Sequence, residues 1–150
     1  MRNLTRSLRS VPRLAACLVA VACARSPADV TVIIEGTDFA FAAPDTLSPG
    51  PTRFRFQRSG TVAHEMAIAR VKAGTTLATA LKTEAAGGAV EGLYDEGDGL
   101  LYADVGETIE AELLVNLEPG RQYVLACTLE TNGKVHTTLG MVKGIVVRAR

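Results

Sequence analysis

The sequence has no tryptophan, and aromatic residues make up only 5% of its 150 positions. It holds two histidines and three cysteines, so any chemistry that needs an imidazole or a thiol has few places to sit. Charge of one sign is also missing: 16 basic residues face 16 acidic ones, a balance that argues against a nucleic-acid binder. No apolar run approaches the ~20 residues that a membrane-spanning helix needs. There is no internal repeat and no low-complexity tract. A G-x-S-x-G motif and a Ser/His/Asp arrangement are both lacking, which removes the common hydrolase signatures. What is present is a 47% hydrophobic composition with 14 glycines. That is apolar enough to pack a core and turn-rich enough for short strands. The length suits one domain with a short appendage and excludes a multidomain enzyme.

The even charge balance hides an asymmetry. Arg2, Arg6, Arg9 and Arg13 fall before the first acid, and they precede the eleven-residue apolar run from Leu14 to Ala24. A basic start, a short apolar stretch and small residues at its end form the pattern of an export signal. We therefore expect residues 1–22 to be a signal peptide, 23–28 a tether and 29–150 the folded domain. Ala20-Val21-Ala22 fits an A-x-A cleavage site, and the next residue is Cys23. Simple cleavage and lipoprotein-type processing, with Cys23 acylated, both fit. Membrane contact is expected only through such an anchor. Removing residues 1–22 leaves 12 basic and 16 acidic residues, a net charge of −4. An acidic body disfavours nucleic acid and anionic membrane as partners and leaves small molecules, metals and proteins.

Short β-type segments dominate the remainder. Val30–Glu35 is β-branched, and Thr52–Arg58 alternates with Phe54 and Phe56 inward. His64–Val71 places His64, Met66 and Ile68 on one face and Ala67, Ala69 and Val71 on the other. Thr75 or Thr76 is positioned to cap a short helix running to about Ala86, stopped by Gly87 and Gly88. Residues 87–99 combine five glycines with Glu91, Asp95, Glu96 and Asp98. Their spacing is not that of a calcium loop, so a solvated surface loop is expected there. Thr108–Leu117 alternates with Ile109, Ala111, Leu113, Val115 and Leu117 inward. Gln122–Leu129 puts Tyr123, Leu125 and Cys127 on one face, and Asn132-Gly133 is a two-residue hairpin turn. A last strand spans about Lys143–Val147. These elements describe an all-β sandwich with one short helix inserted around residues 75–86.

Once residues 1–22 and the acylation-type Cys23 are set aside, Cys127 has no disulfide partner in the domain. An odd thiol in an oxidising compartment calls for a reason. His64, His136, Met66 and Met141 accompany it. A thiolate, two imidazoles and a thioether are the donor set of a blue-copper electron-transfer site, and the combination serves both oxidation states of copper. Continuing the Asn132-Gly133 hairpin as an ideal ladder would set Leu129 opposite His136 and Cys127 opposite Thr138. His136 then becomes the diagonal neighbour of Cys127. Met141 has the wrong parity for that face unless Gly140 permits a bend. Taken singly, Met66 and Met141 also read as core fillers.

The run Leu117-x-Pro-Gly-x-x-Tyr-x-x-x-Cys127, then His136 and Gly140-Met141-Val142, resembles the C-terminal half of a cupredoxin. Phe39-x-Phe41, Pro44-Asp-Thr-Leu-Ser-Pro-Gly50, Thr52-x-Phe-x-Phe and a strand opening at His64 resemble the front half. The likeness covers residues 29–150 and points to bacterial exported cupredoxin-like proteins more than to plastocyanin or azurin. It implies a Greek-key β-sandwich holding one type 1-like copper ion. By that resemblance His64, Cys127, His136 and Met141 would be the metal ligands. Two features depart from the family pattern. Eight residues separate Cys127 from His136, where two to four positions are usual. Glu65 follows the upstream histidine, where a bracing Asn is common, so a looser site is expected.

The function expected from this reading is one-electron transfer by an exported, periplasmic or envelope-anchored bacterial copper protein, which is not an enzyme. A redox partner protein would dock near the exposed edge of His136. Two alternatives remain at this point: a periplasmic copper carrier or storage module without electron transfer, and a metal-free interaction domain.

Overall fold

A computed structural model describes residues 30–149. The expected export segment, the tether and Cys23 lie outside the described residues. Eleven strands and one α-helix form two packed sheets and a small hairpin. The strands are β1 (Val30–Thr37), β2 (Ala40–Ala42), β3 (Thr46–Leu47), β4 (Gly50–Arg58), β5 (His64–Val71) and β6 (Tyr94–Ala103). They continue as β7 (Glu112–Leu117), β8 (Gln122–Ala126), β9 (Glu130–Thr131), β10 (Lys134–Val135) and β11 (Val142–Val147). One sheet runs β2-β1-β4-β7 and the other β3-β11-β8-β5-β6. The β1–β4 and β11–β3 pairs are parallel and the remaining pairs antiparallel. Most of these pairs join strands that are not consecutive in the chain, and the expected β-sandwich with one inserted helix is what forms.

Alternation along each strand decides the core. Val32 and Ile34 of β1, Phe54 and Phe56 of β4, Met66 and Ile68 of β5, and Val115 and Leu117 of β7 all point between the sheets and are buried. Tyr123, Leu125 and Cys127 join them from β8 and the residue just past it. Each fully buried side chain of this size contributes about 1.5–3 kcal/mol by leaving water. The opposite face of β8, with Val124 and Ala126, is covered by helix α1 (Leu77–Ala85). Thr76 caps that helix, its hydroxyl accepting from the Thr79 N–H at 3.1 Å. Gly144 admits the helix closely: a Cβ there would meet Leu77 Cδ2 at 2.8 Å.

Three stretches differ from the sequence expectation. The expected loop over 87–99 is strand from Tyr94 onward, pairing with β5 through register shifts near Ile68 and Ala69. Glycines in an edge strand mark irregular pairing as readily as a loop. The strand expected from Thr108 begins only at Glu112. Past Val135 the chain leaves the hairpin ladder and forms a 3-10 turn over His136–Leu139. The ladder placing Cys127 opposite Thr138 therefore does not form, and β8 ends at Ala126.

Candidate metal centre

The expected ligands gather at one end of the sandwich. His64 is the first residue of β5, Cys127 follows β8 directly, His136 opens the 3-10 turn, and Met141 immediately precedes β11. His64 and Cys127 are 0% exposed and His136 is 1% exposed. The two Nδ1 atoms lie 3.3 Å apart, and Cys127 Sγ lies 3.2 Å from His136 Nδ1. One donor atom from each of His64, Cys127 and His136 falls within 4.8 Å of the others. Among the described residues Cys127 is a free, buried thiol.

The convergence comes from the turn after the hairpin. Asn132 and Gly133 both have positive φ, 53° and 74°, as a tight primed hairpin turn requires. Thr131 then pairs with Lys134 and Glu130 with Val135. His136 N–H donates to Leu129 O at 2.8 Å, returning the chain to the end of β8. Gly140, with φ 111°, ends the 3-10 turn in the left-handed region. That bend brings Met141 to the cluster: its N–H donates to His136 O at 2.9 Å, and its carbonyl accepts from Cys127 N–H at 3.2 Å. Met141 is fully buried, with its methyl beside Gly36. Met66 lies in the main core on β5, two residues from His64.

Outward-facing groups set the orientation of both rings. His64 Nε2 lies 3.3 Å from Asp38 Oδ1. An ionised carboxylate only accepts, so His64 carries its proton on Nε2 and turns the Nδ1 lone pair inward. Asp38 stays ionised, its pKa lowered to about 2 chiefly by hydrogen bonds from the Thr61 hydroxyl and N–H. His136 Nε2 lies 2.8 Å from Thr131 Oγ1. When that hydroxyl accepts from Nε2–H, the Nδ1 lone pair of His136 also faces inward. Burial pushes both imidazole pKa values down and the Cys127 thiol up. The rings are therefore neutral donors, while the thiol holds its proton until a cation displaces it. Two imidazole nitrogens and a sulfur meeting among buried side chains fit a copper ion.

Two expectations are corrected. His136 offers no exposed edge, because the β9–β10 hairpin covers it and Thr131 occupies its outer nitrogen. Glu65 does not leave the site unbraced. Its carboxylate accepts from the Thr128 N–H and hydroxyl, and its own N–H donates to Cys127 Sγ at 3.3 Å. Sequence reading gave Asp38, Phe39 and Thr131 no part in the site. Thr131 was signalled by its place beside the Asn-Gly turn. Asp38 and Phe39 form the two-residue turn between β1 and β2; Asp38 is a turn-favouring type, but Phe39 is not, and neither marks the turn as one that meets the site.

No protein-family model matches the sequence, and no curated protein matches it. Solved structures do. The chain is similar to dithionite-reduced auracyanin from Roseiflexus castenholzii at 15% identity and a TM-score of 0.52, over 81% of this chain and 98% of that one. It is similar to auracyanin B at 22% identity and a TM-score of 0.51, over 81% and 89%. It is also similar to auracyanin A of Chloroflexus aurantiacus, described as a "blue" copper protein, at 19% identity and a TM-score of 0.51, over 80% and 99%. Likeness at these identities speaks to the fold, and by that measure the chain is a cupredoxin-like β-sandwich.

Proposed function

We propose that the domain holds one copper ion at His64, Cys127, His136 and Met141 and passes single electrons, as an exported protein of the bacterial cell envelope. The observation that supports this most is the meeting of one ring nitrogen from each of His64 and His136 with Cys127 Sγ, all within 4.8 Å of one another and all three residues buried. Asp38 and Thr131 hold the outer ring nitrogens. Outer-shell oxygens of this kind fix the tautomer of a metal-binding histidine. The similarity in fold to a "blue" copper protein agrees with the reading. Copper bound there would supply one-electron chemistry. The protein's part is to present neutral imidazoles, release the Cys127 proton to solvent when the cation enters, and hold its donors still in both oxidation states. No bond to a substrate is made or broken, so no enzymatic step is involved.

Residues 1–22 are read as the export signal, 23–28 as the tether and 29–150 as the domain, with Cys23 the residue acylated if processing is of the lipoprotein type. No helix of the described residues is long and apolar enough to cross a membrane. Adding Cu(II) to the purified protein should produce an intense thiolate-to-copper visible band and remove the titratable Cys127 thiol. Cys127→Ser should give neither change. A colourless protein with an undiminished thiol titre would refute the proposal.

One observation favours a second reading, a copper carrier or storage module. Neither imidazole reaches the surface where a redox partner would meet it. Tight Cu(I) binding without reversible redox cycling at an electrode would select that reading over electron transfer.

A further inference from the structure

The two imidazoles are almost wholly buried, yet the centre lies at the end of the sandwich where the strands run out. On one side the β9–β10 hairpin covers His136 through Thr131. On the other stands Phe39. Its ring meets His136 edge-on, with centroids 5.0 Å apart and planes at 75°, and meets His64 at 6.2 Å and 86°. Perpendicular contacts of this kind are favourable ring geometries. Phe39 itself is only half-buried, so its outer side faces solvent while its inner side faces both rings.

The backbone beneath that ring is strained. Among the described residues only Phe39 and Asn132 have positive φ without being glycine, at 65° and 53°. Asn132 sits in a hairpin turn that favours asparagine. Phenylalanine in the left-handed region is an outlier. A two-residue turn from β1 to β2 would be made more readily by glycine or asparagine at this place. Both neighbours of the turn are shaped to receive it. Gly60, at φ 107°, leaves room for the Asp38 carboxylate, and a Cβ on Gly140 would lie 3.4 Å from Phe39 O. Strain of this sort persists only where surrounding structure holds it in place, and it gathers at functional sites.

We infer that Phe39 is a positioning residue of the centre: its ring closes the pocket over both imidazoles and keeps solvent and foreign ligands from the donor atoms. Its purpose rests on the copper reading above, but the closure is a property of the metal-free protein. The ring also orients His64 and His136 from the side that Asp38 and Thr131 leave open. Cys127 Sγ lies 3.2 Å from His136 Nδ1, so access to it is then controlled at residue 39.

The experiment is alkylation of Cys127 by iodoacetamide in the metal-free full chain, followed at its own peptide by mass spectrometry. Phe39→Gly suits the positive φ, which offsets part of what the lost ring contacts and the freer unfolded chain cost, so its Tm should fall only slightly while Cys127 reacts on the order of tenfold faster than in the wild type. Phe39→Tyr, which keeps the ring, should react at the wild-type rate. An unchanged rate in Phe39→Gly overturns the inference, as does an equal rise in Phe39→Tyr. In copper-loaded protein, azide should shift the visible band of Phe39→Gly and leave that of the wild type alone. Failure of copper to bind would refute the proposed function and leave the alkylation result standing. An unchanged alkylation rate would refute the closure whatever copper does.

Discussion

The Glu65 carboxylate accepts two hydrogen bonds from Thr128, at 2.8 Å from its N–H and 2.5 Å from its hydroxyl. One residue thereby joins the strand bearing His64 to the segment just past Cys127. Replacing it with alanine leaves the Thr128 N–H without that acceptor in a half-buried place. Glu65→Ala should cost about 1–3 kcal/mol of stability, read as a lower denaturation midpoint at unchanged slope. Glu65→Gln keeps a carbonyl acceptor and should lose less. Equal losses in the two variants would show that acceptance by an oxygen is not what Glu65 contributes.

Thr131→Val should act through His136. The hydroxyl 2.8 Å from Nε2 disappears, and a buried ring nitrogen is left without its partner. The metal-free protein should lose about 1–3 kcal/mol. If copper binds as proposed, its affinity should fall by about 10–100-fold in a competition titration. Thr131→Ser should restore most of both losses. An affinity untouched by Thr131→Val would argue against any orienting role for that hydroxyl.

Stability should depend on pH in two steps. Burial lowers the folded-state pKa of His64 and His136, so below the ordinary histidine value of about 6.5 the unfolded chain binds protons that the fold refuses. Stability from this source is complete above that value and declines as pH falls through it. Hydrogen bonds from Thr61 hold the Asp38 carboxyl at about 2 in the fold against 3.8 ordinarily. Its contribution is present above 3.8 and is lost as pH falls toward 2. The Tm of metal-free protein should begin to fall below about pH 6.5, and Asp38→Asn should flatten the more acidic step while deepening the histidine one, because the Asp38 carboxylate partly offsets the burial of His64. A level Tm between neutral pH and mild acid would contradict the histidine part.

Gly60 and Gly92 separate contact from backbone strain. Both have positive φ, 107° and 80°. A Cβ on Gly60 would overlap the Asp38 carboxylate, whereas one on Gly92 would meet nothing within 4 Å. Gly92→Ala should show backbone strain alone, about 1 kcal/mol or somewhat more. Gly60→Ala should lose more, because it also displaces Asp38 from Thr61 and His64. Equal losses would mean that the Asp38 turn yields at no cost.

Much of the fold was legible in period-2 alternation. Phe54 and Phe56 were expected inward and are buried, as are His64, Met66 and Ile68 on one face of β5. Thr76 was a stated cap candidate, and Asn132-Gly133 made the hairpin it was expected to make. The acidic, glycine-rich stretch was misread from Tyr94 onward, because β6 is an edge strand whose pairing is irregular and whose residues need not look like strand. The four candidate donor residues were legible as chemical types, and the scarcity of histidine and cysteine made three of them stand out.

The sequence by itself determined which atoms are available: two imidazoles, one thiol within residues 29–150, and Met141 beside a glycine able to bend. Only the tertiary structure decided how they meet. The ideal ladder breaks after Val135, because a 3-10 turn closed by Gly140 replaces it, and that turn brings His136 to Cys127. It likewise decided that Glu65 braces the site, that Thr131 covers His136, and that the Asp38-Phe39 turn lies over both rings. These contacts join residues from 5 to 97 positions apart or come from a strained φ. Local propensity carries no record of either, since packing between distant segments sets the one and the surrounding structure sustains the other.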